Sequence, residues 1–567
     1  MSTKILTFIT VVSTAAICGF GSASATSPRF YRDDPIAREP NAQDAGGAAP
    51  SFLDLMYELT YNLFALPRHK PSGVRAQNVN TIDELPDSSW FTNRIGTRQL
   101  TIDEIVRGPN VGAPPDPSRW VVWRQKTSGS HPGITARDAN GETWFLEFDP
   151  PYYPNAATAA VVMATKIFWA LGYNQVESFL TTFDPKRVEI HPEAEFLRPN
   201  GKRTPVTRAD IEELLEHAAR RPDGTYRVVA GRLIPGKIIG NFRYQGTRPD
   251  DPNDLVPHEH RRELRGLFVF GAWTNVTDFK AENTIDTIVP ENGHGVVKHY
   301  LQDVGSSFGM CNDIYTWDVS WEHFYQGGLI AKRLASFGFA LSPWQTVKYT
   351  EGPEIGKFEG DRFDPQEWRG HTANAAVIEM RDDDAFWAAR RIAAFSDETI
   401  RSIVHTGEFT DPSAEQAIAD IVIKRRDKIL KVYLPAVNPI VTPALDENNR
   451  LTFENAAVAA DVAKEPDAYR AAWFRFDNAT GETGLIGETT SGATSLEAPR
   501  ELPTESGSFV AIDISADSPS HPAWRTPVRT YFRRDGEVWK LVGLERMPET
   551  IATRAAGALV KSGAQTR

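Results

Sequence analysis

Residues 277–309 read TDFKAENTIDTIVPENGHGVVKHYLQDVGSSFG, and the spacing within this stretch decides the fold. Asp278 is followed by Lys280 and then by Asn283, and an Asp-x-Gly appears at Asp303-Val304-Gly305. Residues 284–289 alternate with β-branched side chains. Glu291-Asn292-Gly293-His294-Gly295 is turn chemistry, and 296–301 again reads as a strand. A β-hairpin is therefore expected, and its closure brings Asn283 beside Asp303. Each position has a chemical use. A hard divalent cation takes oxygen ligands, so Asn283 and Asp303 are candidate metal ligands. Asp278 is placed to orient a hydroxyl acceptor, and Lys280 to neutralise charge on a moving phosphoryl group. The plainer alternative is that Asp278 and Asn283 only cap a helix and a turn, as such residues often do.

The set D-x-K-x2-N, hairpin, D-x-G resembles the catalytic core of the protein-kinase-like superfamily. Val276-Thr277 stands where His-Arg is usual, Val304 where Phe is usual, and the hairpin is longer. These departures are similar to the atypical HipA-like and CotH-like members. The resemblance implies an α+β fold in two lobes, a β-rich N-lobe (117–233) and a helical C-lobe (234–437). It also implies a nucleotide with Mg²⁺ or Mn²⁺. The whole chain further resembles bacterial secreted proteins sharing the run GTRPDDPNDLVPHEHRRELR at 246–265, a likeness that brings no activity with it.

Upstream, 120–126 reads as a strand and 127–133 as a Gly/Ser/Pro turn. Residues 134–138 and 143–148 form a further strand pair around Asn140-Gly141. Backbone amides near Gly129 and Gly133 are candidates for cradling phosphates. A helix is expected over 156–171, with Asn155 as N-cap and Gly172 as the stop. A strand follows at 178–183, a helix near 208–220, an apolar β-like run at 226–233, and a helix at 258–273 leading into Asp278.

The charge pattern of a kinase N-lobe is broken. The strand 143–148 holds Glu147 and no lysine, and the helix 156–171 holds one charge, Lys166. The pair is either exchanged, with Lys166 reaching Glu147 from the helix, or unrelated, with Lys166 snorkelling and Glu147 facing solvent. Lys126, ending the first strand, is the rival partner.

Residues 1–25 read as a secretory signal: Lys4, an apolar run, and Ala23-Ser24-Ala25 as the cleavage site. The run is short for a membrane span. Export to the periplasm or medium is expected, with cleavage after Ala25 and no transmembrane anchor thereafter. Of the two cysteines, Cys18 would leave with the signal and Cys311 remain, which excludes an internal disulfide. A net charge of −12 argues against nucleic-acid binding. A phosphate-bearing ligand or an envelope partner fits better.

Residues 26–50 read as a mobile polar leader, followed within 26–116 by an amphipathic helix on Phe52, Leu55, Met56, Leu59 and Leu63 and then a loop-rich stretch. His258-Glu259-His260 lacks helical metal-ligand spacing, and the acids at 250–254 lack a calcium-loop pattern. Beyond Asn438-Pro439, several strand-like runs and Asp535-Gly536 predict an all-β sandwich-like domain over 438–548, with a frayed tail at 549–567. Three function classes remain open: metal-dependent phosphoryl or nucleotidyl transfer, a pseudokinase-like binding protein, and an envelope module acting through its C-terminal β-domain.

Overall fold

The structure is a computed structural model that describes residues 27–53, 55–126, 131–198, 201–310, 319–323, 326–341 and 343–547. The expected signal sequence, Gly129, Cys311 and the C-terminal tail lie outside the described residues. Among the described residues no helix is long and apolar enough to cross a membrane.

A seven-stranded sheet forms first. Its strands are β1 (Trp120–Gln125), β2 (Gly133–Arg137), β3 (Thr143–Phe148), β4 (Ser178–Phe183), β5 (Val188–Leu197), β6 (Arg203–Pro205) and β7 (Tyr226–Arg232). They run in the order β4-β7-β3-β2-β1-β5-β6. Strand side chains alternate between faces. Trp144, Leu146 and Phe148 of β3 thus point to one side, where they meet Ile211 and Leu214 in a buried cluster. Phe145 and Glu147 point to the other. Helices α1 (Leu55–Thr60), α2 (Ile102–Arg107), α3 (Ala156–Leu171) and α4 (Arg208–Glu216) also belong to the first part of the chain, and α2 packs on α3 while Glu58 of α1 reaches Ala281. Helix α3 packs on β3, β4 and β7. It is apolar around nearly its whole circumference and correspondingly buried, as expected of an interior helix. Phe168 on it is fully buried, and truncation to Ala would cost about 3–5 kcal/mol.

Helix α5 (Arg262–Thr274) leads into the loop carrying Asp278. A three-stranded sheet follows, β10-β9-β8, from β8 (Lys237–Gly240), β9 (Thr284–Glu291) and β10 (His294–Leu301). The expected hairpin is β9–β10, paired from Glu291↔His294 to Thr284↔Leu301. Its two turn residues, Asn292 and Gly293, have φ of 50° and 86°, the left-handed pair that a tight hairpin needs. Helices α6 (Gly327–Ala335), α7 (Ala375–Ile378), α8 (Asp382–Ala393), α9 (Asp397–His405) and α10 (Pro412–Tyr433) follow. Asp411 caps α10 by accepting from the Ser413 amide at 2.8 Å, with Pro412 at the first helical position.

The C-terminal strands are β11 (Ile440–Leu445), β12 (Arg450–Asn455), β13 (Ala468–Phe476), β14 (Thr483–Ser491), β15 (Ser495–Glu497), β16 (Phe509–Asp517), β17 (Val528–Asp535) and β18 (Val538–Glu545). They make two sheets, β11-β12-β15 and β14-β13-β16-β17-β18. One continuous core joins them to the helices: Trp273, Trp387, Ile440, Trp473 and Trp524 belong to a single buried cluster. Trp524 donates to the Pro435 carbonyl at 3.0 Å, and the Arg546 guanidinium lies 4.3 Å from the Phe386 ring centre.

Two local expectations are corrected. The leader is docked along 27–53. Phe30 is buried among Phe476, Ala511, Tyr531 and Val542, and its carbonyl accepts from Asn478 at 2.8 Å. Further on, Ala45 and Ala48 pack against Ile239 and Val297. Polar contacts add to these: Arg533 donates to the Tyr31 carbonyl at 3.1 Å, and Asp44 accepts the Gly295 amide at 2.8 Å. Asn155 precedes α3 but makes no capping bond. It sits at φ 66°, and its Nδ2 donates to Glu354 at 2.7 Å instead.

Candidate functional site

The loop after α5 is held from several sides. The Thr277 amide donates to Ser306 O at 3.1 Å, and the Phe308 amide to Thr274 O at 2.9 Å, so the loop and the Asp-x-Gly segment are zipped together. The Asn283 carbonyl accepts from the amides of Gln302 and Asp303 at 3.0 and 3.1 Å. The hairpin base therefore brings Asn283 and Asp303 together. Asn283 Nδ2 donates to the Asp278 carbonyl at 2.8 Å and to its carboxylate at 3.1 Å. That assignment of the amide presents Oδ1, an oxygen ligand, on the other side. Asp303 accepts the Gly305 amide at 2.9 Å. A Cβ on Gly305 would come within 2.9 Å of Val161 on α3, so glycine is what lets the helix approach here.

Lys280 lies 3.1 Å from Asp278 Oδ2 and 3.4 Å from Glu282 Oε2. Burial works against its charge, but the Asp278 carboxylate outweighs this and holds the ammonium above its usual range.

Glu147 and Lys126 settle the broken charge pattern. Gly133 stands opposite Glu147 across β2–β3, and the Lys126 amide donates to the Gly133 carbonyl at 2.9 Å. Lys126 is thus two strands away from Glu147, with only a glycine between. A Cβ on Gly133 would meet Lys126 Cδ at 3.0 Å. Through this gap Lys126 Nζ reaches Glu147 Oε1 at 2.7 Å. Burial raises the Glu147 carboxyl, but the Lys126 ion pair prevails and keeps it below its usual range.

The exchange with Lys166 does not occur. Lys166 lies against Gly108 beyond α2 and in the field of Glu408. Burial pulls its ammonium down to about 8. Placed there, it does not reach Glu147 on β3, which pairs with Lys126 instead. Glu147 does not face solvent unpaired either.

Asp303 receives no ion pair among the described residues. Burial and then the nearby Glu147 carboxylate raise its carboxyl above the usual range, against the opposing pull of Lys126 and the Gly305 amide. Asp278 adds to the repulsion. Among the described residues Glu147, Asp278, Glu282 and Asp303 stand beside two lysines, Lys126 and Lys280, and the carboxylate donors are hard oxygens. The donor set fits a divalent cation whose remaining ligands come from phosphate and water. No cluster of three or more His, Cys, Asp or Glu side chains suited to a metal exists among the described residues, so Asn283 and Asp303 would need such outside ligands.

Two neighbours were missed in the sequence. Glu58 of α1 accepts the Ala281 amide at 2.8 Å and is fully buried. Burial pushes its carboxyl up to about 7, against the pull of that amide. His371 donates its amide to the Thr277 carbonyl at 2.6 Å, with its ring in the field of Asp278. Neither has a motif. Glu58 sits in a six-residue helix where, contrary to the expected apolar face, Met56 is exposed and Glu58 buried, and His371 lies in an irregular stretch, so only folding brings them to the loop. His258, discounted as a metal ligand, is a buried partner of Asp254 at 2.7 Å.

No protein-family model and no curated protein matches the chain. Solved structures similar to it are a Golgi casein kinase with Mn/ADP bound and the Helicobacter pylori proinflammatory kinase CtkA. The first is 9% identical, over 70% of this chain and 95% of that one, at a TM-score of 0.28. The second is 12% identical, over 57% of this chain and 96% of that one, at a TM-score of 0.31. At such TM-scores the likeness carries no weight, and the function is read from the site's own geometry.

Proposed function

We propose that the chain is an exported protein with an atypical kinase-like, two-lobed fold that binds a nucleotide with Mg²⁺ or Mn²⁺ and transfers a phosphoryl or nucleotidyl group. The observation that carries this is the meeting of Asp278, Asn283 and Asp303 with the Lys126–Glu147 pair, from elements more than a hundred residues apart in sequence. Asn283 and Asp303 would hold the cation, which when bound neutralises phosphate oxygens. Lys126, positioned by Glu147 and by the gap over Gly133, supplies a fixed positive charge beside them. Asp278, oriented by Asn283 Nδ2, accepts a hydrogen bond from the acceptor hydroxyl, and Lys280 balances charge on the group in transit. Placement in a HipA- or CotH-like branch rests on Val276-Thr277, on Val304 and on the long hairpin.

A second reading, a binding protein without turnover, is favoured by one observation. Val161 stands on α3 beside Gly305, so the helix offers no acid to a lysine, and Lys126 is held by a strand instead. A module acting through an independent C-terminal β-domain is disfavoured by the continuous core.

The test is thermal unfolding of the protein with ATP, ADP or GTP and Mg²⁺ or Mn²⁺, followed by transfer of labelled γ-phosphate or nucleotide. A ligand at a hundredfold its Kd stabilises by about 2.7 kcal/mol. That gain is expected for the native chain and absent in Asp303→Ala. A flat response across the series sinks the proposal. Binding without transfer selects the second reading.

A further inference from the structure

Helix α6 and the turn after it, residues 327–341, contain no buried side chain. Five large apolar side chains there are exposed: Ile330, Leu334, Phe337, Phe339 and Leu341, with Leu334 at 73%, Phe339 at 88% and Phe337 at 91%. Single exposed apolar residues are ordinary on a protein surface, but a run of this density marks a contact with something outside the chain. Ile330 and Leu334 are four apart and share one side of the helix. The turn that follows is well defined. The Gly338 amide donates back to the Arg333 carbonyl at 3.0 Å and the Phe337 amide to the Leu334 carbonyl at 3.1 Å, closing the helix end. The Ala340 amide donates to the Ser336 hydroxyl at 3.0 Å. Phe337 itself sits at φ 51°, a left-handed conformation that glycine adopts readily and a bulky side chain does not. Neither backbone preference nor burial accounts for a phenylalanine at this position, whereas a partner outside the chain does. The segment is tied to the body at its root. Arg333 makes two bonds of 2.6 Å to the Glu322 carboxylate, and His323 Nδ1 donates to the Gly370 carbonyl at 2.8 Å.

Charge points to the chemistry of the partner. The chain as a whole carries −12, yet residues 323–350 contain no Asp or Glu and hold Lys332, Arg333 and Lys348. Arg333 is neutralised by Glu322, while Lys332 and Lys348 are exposed and enter no ion pair among the described residues. An apolar face accompanied by lysines and no acids is the composition of a segment that lies in the headgroup layer of an anionic bilayer. At nine residues α6 is about 14 Å long, so it lies along such a surface and does not cross it. A second copy of the chain fits less well. A two-fold contact through this patch would bring the same lysines together with no acid of the segment between them. The other exposed apolar stretch, with Phe52, Met56, Leu63 and Phe64, lacks the basic component, since residues 52–64 contain no Lys or Arg.

We propose that residues 327–341 are a lipid-docking patch, by which the chain lies on the surface of a bilayer rich in anionic headgroups. Leu334, Phe337 and Phe339 enter the interface, and Lys332 meets lipid phosphate. The inference does not depend on the transfer reading.

The test is co-sedimentation of the chain lacking residues 1–25, which retains every described residue, with two kinds of vesicle. One is equal parts phosphatidylglycerol and phosphatidylcholine, the other phosphatidylcholine alone. Binding to the anionic vesicles is expected to be at least tenfold tighter and to weaken as salt is raised. Phe337→Gly combined with Phe339→Ser should lower it at least tenfold. Thermal unfolding of that double variant should be unchanged or slightly raised, because glycine relieves the left-handed backbone at position 337. Lys332→Gln should lower binding to anionic vesicles about fivefold and leave binding to phosphatidylcholine alone as it was. Phe64→Ser, in the stretch without lysines, should bind like the native chain. The proposal is overturned by no sedimentation with anionic vesicles, by equal binding to the two kinds, or by a loss in Phe64→Ser as large as in the double variant. A lipid-free dimer that the double variant breaks overturns it as well, by making a second copy the occupant.

Discussion

Two ionic clusters in this molecule behave in opposite ways. Around α5 and α8, Arg262 bridges Asp384 at 3.0 Å and Asp83 at 2.9 Å, and Arg265 meets Asp384 at 3.1 Å. Asp83, Asp383, Asp384 and Glu263 each have at least one guanidinium. The result is a buried set in which Arg262 and its neighbour Arg75 drive the Asp83 carboxyl down to about 2 despite burial. Around Asp278 the balance is reversed. Lys126 and Lys280 face Glu147, Asp278, Glu282 and Asp303, and Asp303 is left to be raised by its surroundings. A cluster that closes on itself holds the fold. A cluster with more carboxylates than lysines among the described residues fits the cation proposed above.

Substitutions separate the two. Arg262→Ala should be the most damaging, costing about 3–5 kcal/mol in urea unfolding, because it strands buried carboxylates. An effect below 1 kcal/mol would erase the distinction. Glu58 gives the next effect, through pH. Its folded carboxyl titrates near 7, against a usual value of 4.5. The folded state therefore holds the proton more tightly, and the stability this confers is full below pH 4.5 and lost as pH rises through 7. The span is at most about 3 kcal/mol. Unfolding free energies of Glu58→Gln measured between pH 4.5 and 8 should lack that decline. Asp303→Asn should leave the metal-free protein as stable or slightly more so, by less than about 1 kcal/mol, since it removes one of several crowded carboxylates. The same change should abolish the metal–nucleotide response. A marked loss of metal-free stability would place Asp303 with the structural cluster. Smallest of all, Arg401→Ala breaks an exposed pair with Asp420 and should shift stability by under about 0.5 kcal/mol.

What the sequence disclosed follows the range of the forces involved. The hairpin was legible because Asn292-Gly293 dictates a turn over two residues and the flanking strands alternate. Asp278, Asn283 and Asp303 could be placed together for the same local reason. The Lys126–Glu147 pair was ambiguous because it depends on register across β1, β2 and β3, which no single segment specifies. Lys166 stayed open as a partner because the sequence does not say which way a helix turns its one charge. Glu58 and the docking of Phe30 were illegible because each is decided by a contact some two hundred residues or more away.

That last contact has a kinetic meaning. Arg29 pairs with Glu545, a separation of 516 residues, and Phe30 seats between strands β13, β16 and β17. The pocket for Phe30 does not exist until the last strands have been made and paired. Arg29 and Phe30 can therefore settle only after a loop spanning 516 residues has closed. Loop-closure entropy grows only slowly with length, so what the contact demands is the order of assembly: the strands that frame Phe30 come before its seating.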